Sequence, residues 1–268
     1  MDSYYVFGAL VAAIVFVYVR YLTRSTRRRR RALKQPFPDA WREILEEWVR
    51  YYAHLNDERK RRFEKRIRLF LANTRVVSAE VEIDDKLRLL VAASAVIPVF
   101  GFDDWEYRNL AEVIVVPNKV EAERAGEDLG VGTVTGQIRP FQRRYYVKLS
   151  KTALEAGFRR SSDGHNVGVH EFAHLIDQVD GDVDGLPSSF LSPELLRSWT
   201  RLMHHLMDEI KRGKGDLDAY ASTGEEEFFA VATEYFFERP NELAEQYPKL
   251  YELLTRVFQQ NPRRWMRR

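Results

Sequence analysis

His170-Glu171-Phe172-Ala173-His174 places two imidazoles four residues apart, with a carboxylate directly after the first. On an α-helix of about 3.6 residues per turn, positions so spaced share a face, and both rings can reach one cation from consecutive turns. Glu171 projects from a neighbouring angle, close enough to take a proton from a water that a metal activates. These are the mechanics of metal-assisted peptide hydrolysis. The pattern carries that meaning only in a helical, apolar setting; on a solvated helix it is a chance match. Here Val167, Val169, Phe172, Leu175 and Ile176 surround the motif, so its helix is expected to be buried. Asn166 is positioned as the N-cap, after a loop at Ser161-Ser162-Asp163-Gly164. The chain has no cysteine, which excludes thiolate zinc sites and disulfides. Of its six histidines, His54, His165, His204 and His205 read as structural or surface residues. The last two are adjacent, so on a helix they diverge by about 100° and chelate poorly.

A catalytic zinc site usually has three protein ligands and one open position. Asp180 lies where a metzincin would place its third ligand, but position 177 is Asp177 rather than the glycine that lets the chain reverse. The stronger candidates lie on one later helix, expected over Glu225 to Phe237 and ended by Pro240. Thr223 with Glu226, or Ser222 with Glu225, offers a capping box at its start. Glu227 and Glu234 are seven residues apart, two turns, and share a face. Glu227 belongs to a first turn of acids that favour the helix dipole. Glu234 is embedded among Phe, Ala, Val and Tyr, where a carboxylate is costly unless it is paired or coordinates a cation. Glu234 is therefore expected as the third ligand, and Glu227 as a supporting or substrate-facing acid.

The stretch His170 to Asp177, then Asp180-Gly181, Asp184-Gly185-Leu186-Pro187 and Tyr220-Ala221, and finally Glu227 to Pro240, resembles the Mlc titration factor A family of glucose-regulated zinc metallopeptidases. The resemblance extends more weakly upstream, through Pro36-Phe37-Pro38, Trp41 and the segment Ile83 to Phe102, and so covers most of residues 36–240. It implies a gluzincin-like Zn2+ site, with His170 and His174 as ligands, Glu171 as general base and a glutamate of the later helix, matching Glu234, as third ligand. It also implies peptidase activity like that of aminopeptidases. The chain departs from the family in its hydrophobic beginning, and its stretch Gly126 to Gly136 matches no recognisable pattern.

The expected fold is α+β and mostly helical: a zincin-like metallopeptidase domain with a small β-sheet over residues 36–268, preceded by an N-terminal transmembrane helix. Helical spacing runs through Trp41–Tyr52, Asp57–Leu71, Asp84–Val96, Pro193–Lys211 and Asn241–Gln259. Strands are expected at Val113–Val116, Val131–Gln137 and Arg144–Leu149, with an edge that can take a peptide by strand addition. Ser3 to Val19 carry no charge, aromatic residues cluster near both ends, and Arg24, Arg27 to Arg31 and Lys34 follow. Residues 3–22 therefore read as a single-pass anchor and residues 1–35 as anchor plus stop-transfer segment, with the amino terminus outside and the catalytic domain cytoplasmic. With a formal net charge of +2 and the basic excess confined to that segment, no nucleic-acid partner is expected. Arg263-Arg264 and Arg267-Arg268 read as a solvated tail. Asp180 to Gly185 imitates a calcium loop but puts Leu191 where its twelfth-position acid belongs. Asp177 or Asp180 is expected to hold the second nitrogen of a ligand histidine. Tyr220 is placed to hydrogen-bond the oxyanion of a tetrahedral intermediate.

These features predict a zinc-dependent peptidase acting on a peptide or protein substrate through a metal-activated water, with Glu171 and Tyr220 as its catalytic residues. The non-enzymatic alternative is a membrane-tethered binding protein with a structural zinc, which sequesters a cytoplasmic partner such as a transcription regulator. The intact general base favours the enzyme, because a purely structural site has no use for it.

Overall fold

The structure is a computed structural model. It describes residues 23–105, 107, 110–117, 137–139, 142–160, 163–180 and 183–266, together with 7, 15, 16 and 18–20. In chain order, helices α1 (Arg24–Lys34), α2 (Asp39–Trp48), α3 (Arg50–Ala53) and α4 (Asp57–Asn73) lead into strand β1 (Arg75–Val77). Helix α5 (Asp85–Val99) returns the chain to β2 (Leu110–Val116), and β3 (Gln137–Arg139) and β4 (Gln142–Ser150) complete the sheet. Then come α6 (Lys151–Arg159), the motif helix α7 (Val167–Asp177), α8 (Pro193–Lys211), α9 (Glu225–Glu238), α10 (Pro240–Gln246) and α11 (Pro248–Phe258).

The sheet order is β1-β2-β4-β3, with β1, β2 and β4 parallel and β3 antiparallel to β4. Val76 pairs with Val113, and Val113 with Val147, so apolar residues stack across the strands. The expected strands at 113–116 and 144–149 lie inside β2 and β4. Of the one expected at 131–137, only Gln137 is among the described residues, as the first residue of β3. The sheet's edges are β1 and β3.

Helices α5, α7 and α9 are apolar around most of their circumference, and such helices belong in an interior. Residues 89–99 of α5 are all buried, as are 168–177 of α7 and 228–238 of α9. Helix α7 packs between the other two. Gly168 permits its approach to α5, since a Cβ there would lie 2.0 Å from Ser94 Oγ. Phe172, in the middle of the motif, meets Phe70 and Tyr107 edge-on at 5.8 and 5.2 Å.

Two expected helices are interrupted. The run expected at 41–52 breaks at Val49, where φ −110° and ψ 86° leave the helical region. The run expected at 241–259 breaks at Tyr247, before Pro248, as the steric restriction ahead of proline requires. Helix α9 has Gly224 as N-cap and no side-chain cap, so neither expected capping box forms.

The transmembrane helix needs correction. No helix among the described residues is long and apolar enough to cross a membrane. The single-pass topology, with its outside amino terminus and cytoplasmic domain, therefore has no structural support; most of residues 3–22 lie outside the described residues. The arginine run read as a stop-transfer segment forms α1 and packs along α4, with Arg68 donating to the carbonyls of Ala32 (3.3 Å) and Gln35. Hydropathy and charge count alone cannot register this contact, because it depends on a partner surface more than thirty residues away in the chain.

Candidate metal centre

The motif helix starts where Asn166 Oδ1 accepts from Val169 N at 3.1 Å, satisfying one of the unpaired first-turn amides. Its 3.6-residue period brings His170 and His174 onto one face, with Nε2 atoms 3.2 Å apart. Helix α9 lies against this face. Glu227 in its first turn and Glu234 two turns later are in line, as their spacing predicts, and the ring of His170 sits between them. His170 Nε2 is 3.1 Å from Glu227 Oε2, and its Nδ1 is 2.7 Å from Glu234 Oε1. His174 Nε2 is 3.6 Å from the same Glu227 oxygen.

The atoms that converge are thus both Nε2 nitrogens and a Glu227 oxygen, all within 4.8 Å of one another. Their separations of 3.1, 3.2 and 3.6 Å suit a metal. A tetrahedral ion with bonds of about 2.0–2.1 Å holds its ligand atoms about 3.3 Å apart. Glu234 occupies the opposite edge of the imidazole, where a carboxylate orients a ligand histidine and sets its tautomer. The second Glu234 oxygen accepts from the backbone N–H of Asn166. The buried carboxylate that the sequence offered as a ligand has its partners in a ring N–H and a main-chain N–H.

Glu171 is 0% exposed, and neither of its oxygens has a hydrogen-bond partner among the described residues. Burial pushes its pKa up to about 8 against the nearby His170 charge, with the Glu227 and Glu234 charges adding to the rise. A buried, unsatisfied carboxylate is costly, and a cation with its water would supply what it lacks. At His170 burial disfavours the charged ring, but the Glu234 charge and the hydrogen bonds to both glutamates outweigh it and raise the pKa to about 10. Burial alone would raise the Glu227 pKa, yet the hydrogen bonds to the two imidazoles hold it well below the usual carboxylate range.

Tyr220 lies in a one-turn 3-10 segment, Ala219–Ser222, and its own amide donates to Asp218 Oδ1 at 2.8 Å. Its ring stacks on His170 at 6.0 Å between centroids and 28° between planes. Both ends of the motif helix are tied toward α9. At one end Asn166 Nδ2 donates to Glu238 at 3.1 Å. At the other, Asp177 Oδ2 accepts from Gly185 N at 2.8 Å, and Gly185 O accepts from Trp199 Nε1 at 2.8 Å. Gly185 has φ +69°, and a Cβ there would meet Glu225 O at 2.1 Å. The expected role of an aspartate on a ligand histidine is taken by Glu234 on His170, while His174 Nδ1 has no partner among the described residues. The remaining histidines lie outside the cluster: His54 bonds Arg50 O, and His165, His204 and His205 pair with Asp218, Glu225 and Glu209. Sequence reasoning did not identify the bonds of Asn166 to α9 or the close approach at Gly185. The Gly185 signal was present, in a glycine between Asp184 and Leu186-Pro187.

A buried helix bearing two imidazoles and an adjoining acid, faced by a glutamate from a second helix, is the arrangement of a metallopeptidase-type metal centre. The chain belongs to the glucose-regulated metallo-peptidase M90 family, whose model matches residues 23–259. Among its relatives, the Synechocystis sp. protein slr2042 is 27% identical over 241 residues, covering 86% of this chain and 87% of its own length. Mlc titration factor A of Enterobacter sp. is 27% identical over 244 residues, covering 86% and 90%. The Escherichia coli protein of that name is 25% identical, covering 83% and 86%.

Proposed function

We propose that this protein is a zinc-dependent peptidase whose metal is held by His170, His174 and Glu227. Convergence of three donor atoms at tetrahedral spacing beside the unpartnered Glu171 carries the proposal. Two imidazoles and one carboxylate form a donor set that zinc accepts with a position left open. When bound, the ion supplies a water of lowered pKa and a Lewis acid for the substrate carbonyl. Glu171 accepts the water's proton on a carboxylate oxygen and returns it to the departing amine. Glu234 keeps Nδ1 of His170 protonated, so that Nε2 presents its lone pair. Tyr220, packed on His170, donates to the developing oxyanion. The reaction class extends to peptide-bond hydrolysis only. Glu227, the acid at hand for anchoring a free amino terminus, is drawn to the imidazoles instead.

The test is cleavage of a peptide library by the zinc-loaded full chain and by Glu171→Gln. General acid–base catalysis contributes about 10²–10⁴ in rate, so the variant should keep its zinc and lose at least about a hundredfold in turnover. Parental turnover in a zinc-replete Glu171→Gln protein overturns the assignment. The relatives' name, Mlc titration factor A, motivates a second role in binding a regulatory protein. Binding of such a partner undiminished in Glu171→Gln would separate that role from catalysis.

A further inference from the structure

A cavity separate from the metal centre lies beside α4 and α5. It has a volume of about 720 Å³ and is walled by α1, α4, α5 and the segment after α5, within the range of small-molecule sites. Its floor is apolar, formed by Leu33, Leu69, Phe70, Val96 and Val99. Its polar side is cationic, with Arg29, Arg62, Lys65 and Arg66. Arg66 is only 9% exposed. Its guanidinium donates through Nη2 to the carbonyls of Phe102 and Asp103 (the latter 2.6 Å), and no carboxylate among the described residues forms an ion pair with it. Burial lowers its pKa, as expected of a charge without a full counter-charge. Asp103 pairs instead with Arg62 at 3.3 Å, its side chain fully exposed at the rim. Trp105 also lines the cavity, and its buried Nε1–H has no acceptor among the described residues. A buried guanidinium whose acceptors are neutral carbonyls, and a buried indole N–H without an acceptor among the described residues, call for an anion attached to an apolar body beside that floor.

We propose that this cavity binds an amphiphilic monoanion, a carboxylate on an aliphatic or apolar peptide body, with the carboxylate on Arg66 and Trp105 Nε1 and the body along Leu69, Phe70 and Val96. A polyanion fits less well, because Asp103 and Asp104 also line the cavity. Phe70 and Tyr107 line the cavity and also touch Phe172, so the cavity wall packs directly on the motif helix. The inference does not depend on peptidase activity.

Calorimetric titration of the full chain tests it, with decanoate, decyltrimethylammonium, and N-acetyl-trileucine as free acid and as amide. Saturable one-site binding of decanoate or of the peptide acid is expected, with neither the cation nor the amide binding. Whichever acid binds tighter identifies the source as lipid-derived or peptide. Arg66→Gln should weaken binding about tenfold or more, the effect of losing a charge-assisted contact. Because Arg66 also holds the Phe102 and Asp103 carbonyls, Lys65→Glu provides an independent test: Lys65 is exposed, has no partner among the described residues, and lines the cavity. Its reversal should weaken binding about fivefold at low salt. Failure of both acids to bind, equal affinity in Lys65→Glu, or equally tight binding of the cation overturns the proposal.

Discussion

Replacing Glu227 and Glu234 separately by glutamine tests the division of labour between them. The substitution keeps shape and removes charge. Glu227 places one oxygen 3.1 and 3.6 Å from the two Nε2 atoms, so Glu227→Gln replaces an anionic donor with a weak neutral one. Structural zinc sites bind with about 10–16 kcal/mol over four ligands, or roughly 3 kcal/mol for each, which is a hundredfold or more in Kd. Glu234 accepts from His170 Nδ1 at 2.7 Å and from the amide of Asn166. A glutamine retains one of these bonds. Loss of such an outer partner costs about 10–100-fold in metal affinity, and Glu234→Gln should lie near the lower figure. Zinc affinity of the full chain, measured by chelator competition at one pH with circular dichroism to confirm folding, should fall further in Glu227→Gln. The reverse order would return the third-ligand role to Glu234 and refute the argument from ring geometry.

Tyr220→Phe should bind zinc normally and lose about tenfold or more in turnover at unchanged KM, as expected of a donor used in the transition state; unchanged turnover removes the tyrosine from the chemistry. Gly185→Ala should be destabilised by at least about 2 kcal/mol and so unfold at a lower temperature, because its φ of +69° and the 2.1 Å approach to Glu225 O admit no Cβ; thermal melts of both proteins decide this. Glu238 is buried, and burial raises its pKa to about 8, with Glu234 and Asp163 adding to the rise while Asn166 and Arg50 oppose it. In the unfolded chain Glu238 ionises near pH 4.5, so the native state binds the extra proton between the two values and stability falls as pH rises from about 5 to 8. Glu238→Gln removes that loss. Its stability relative to the parent, from denaturant titrations, should therefore rise across that interval and stay level below it; a difference independent of pH contradicts the assignment.

Much of the site was legible in residue spacing. Positions i and i+4 put His170 and His174 together on any helix, the apolar flanks required that helix to be buried, and Asn166 marked its start. The seven-residue spacing likewise put Glu227 and Glu234 on one face whatever the fold. Burial of Glu234 was also legible, as was the conclusion that a buried carboxylate needs a partner. The identity of that partner was not. An imidazole offers two nitrogens on opposite edges, and only the packing of α9 against α7 decides which acid meets which edge. Because His170 lies between two turns of α9, the more exposed glutamate reaches the Nε2 atoms and the deeper one reaches Nδ1. The amino-terminal region followed the same logic. Its sequence determined that a basic segment follows an apolar stretch, whereas the helix it forms and its packing along α4 depended on a surface assembled from distant residues. Local sequence specifies period, caps and burial because these involve neighbours a few residues apart; the choice among several chemically suitable partners belongs to contacts between helices distant in the chain.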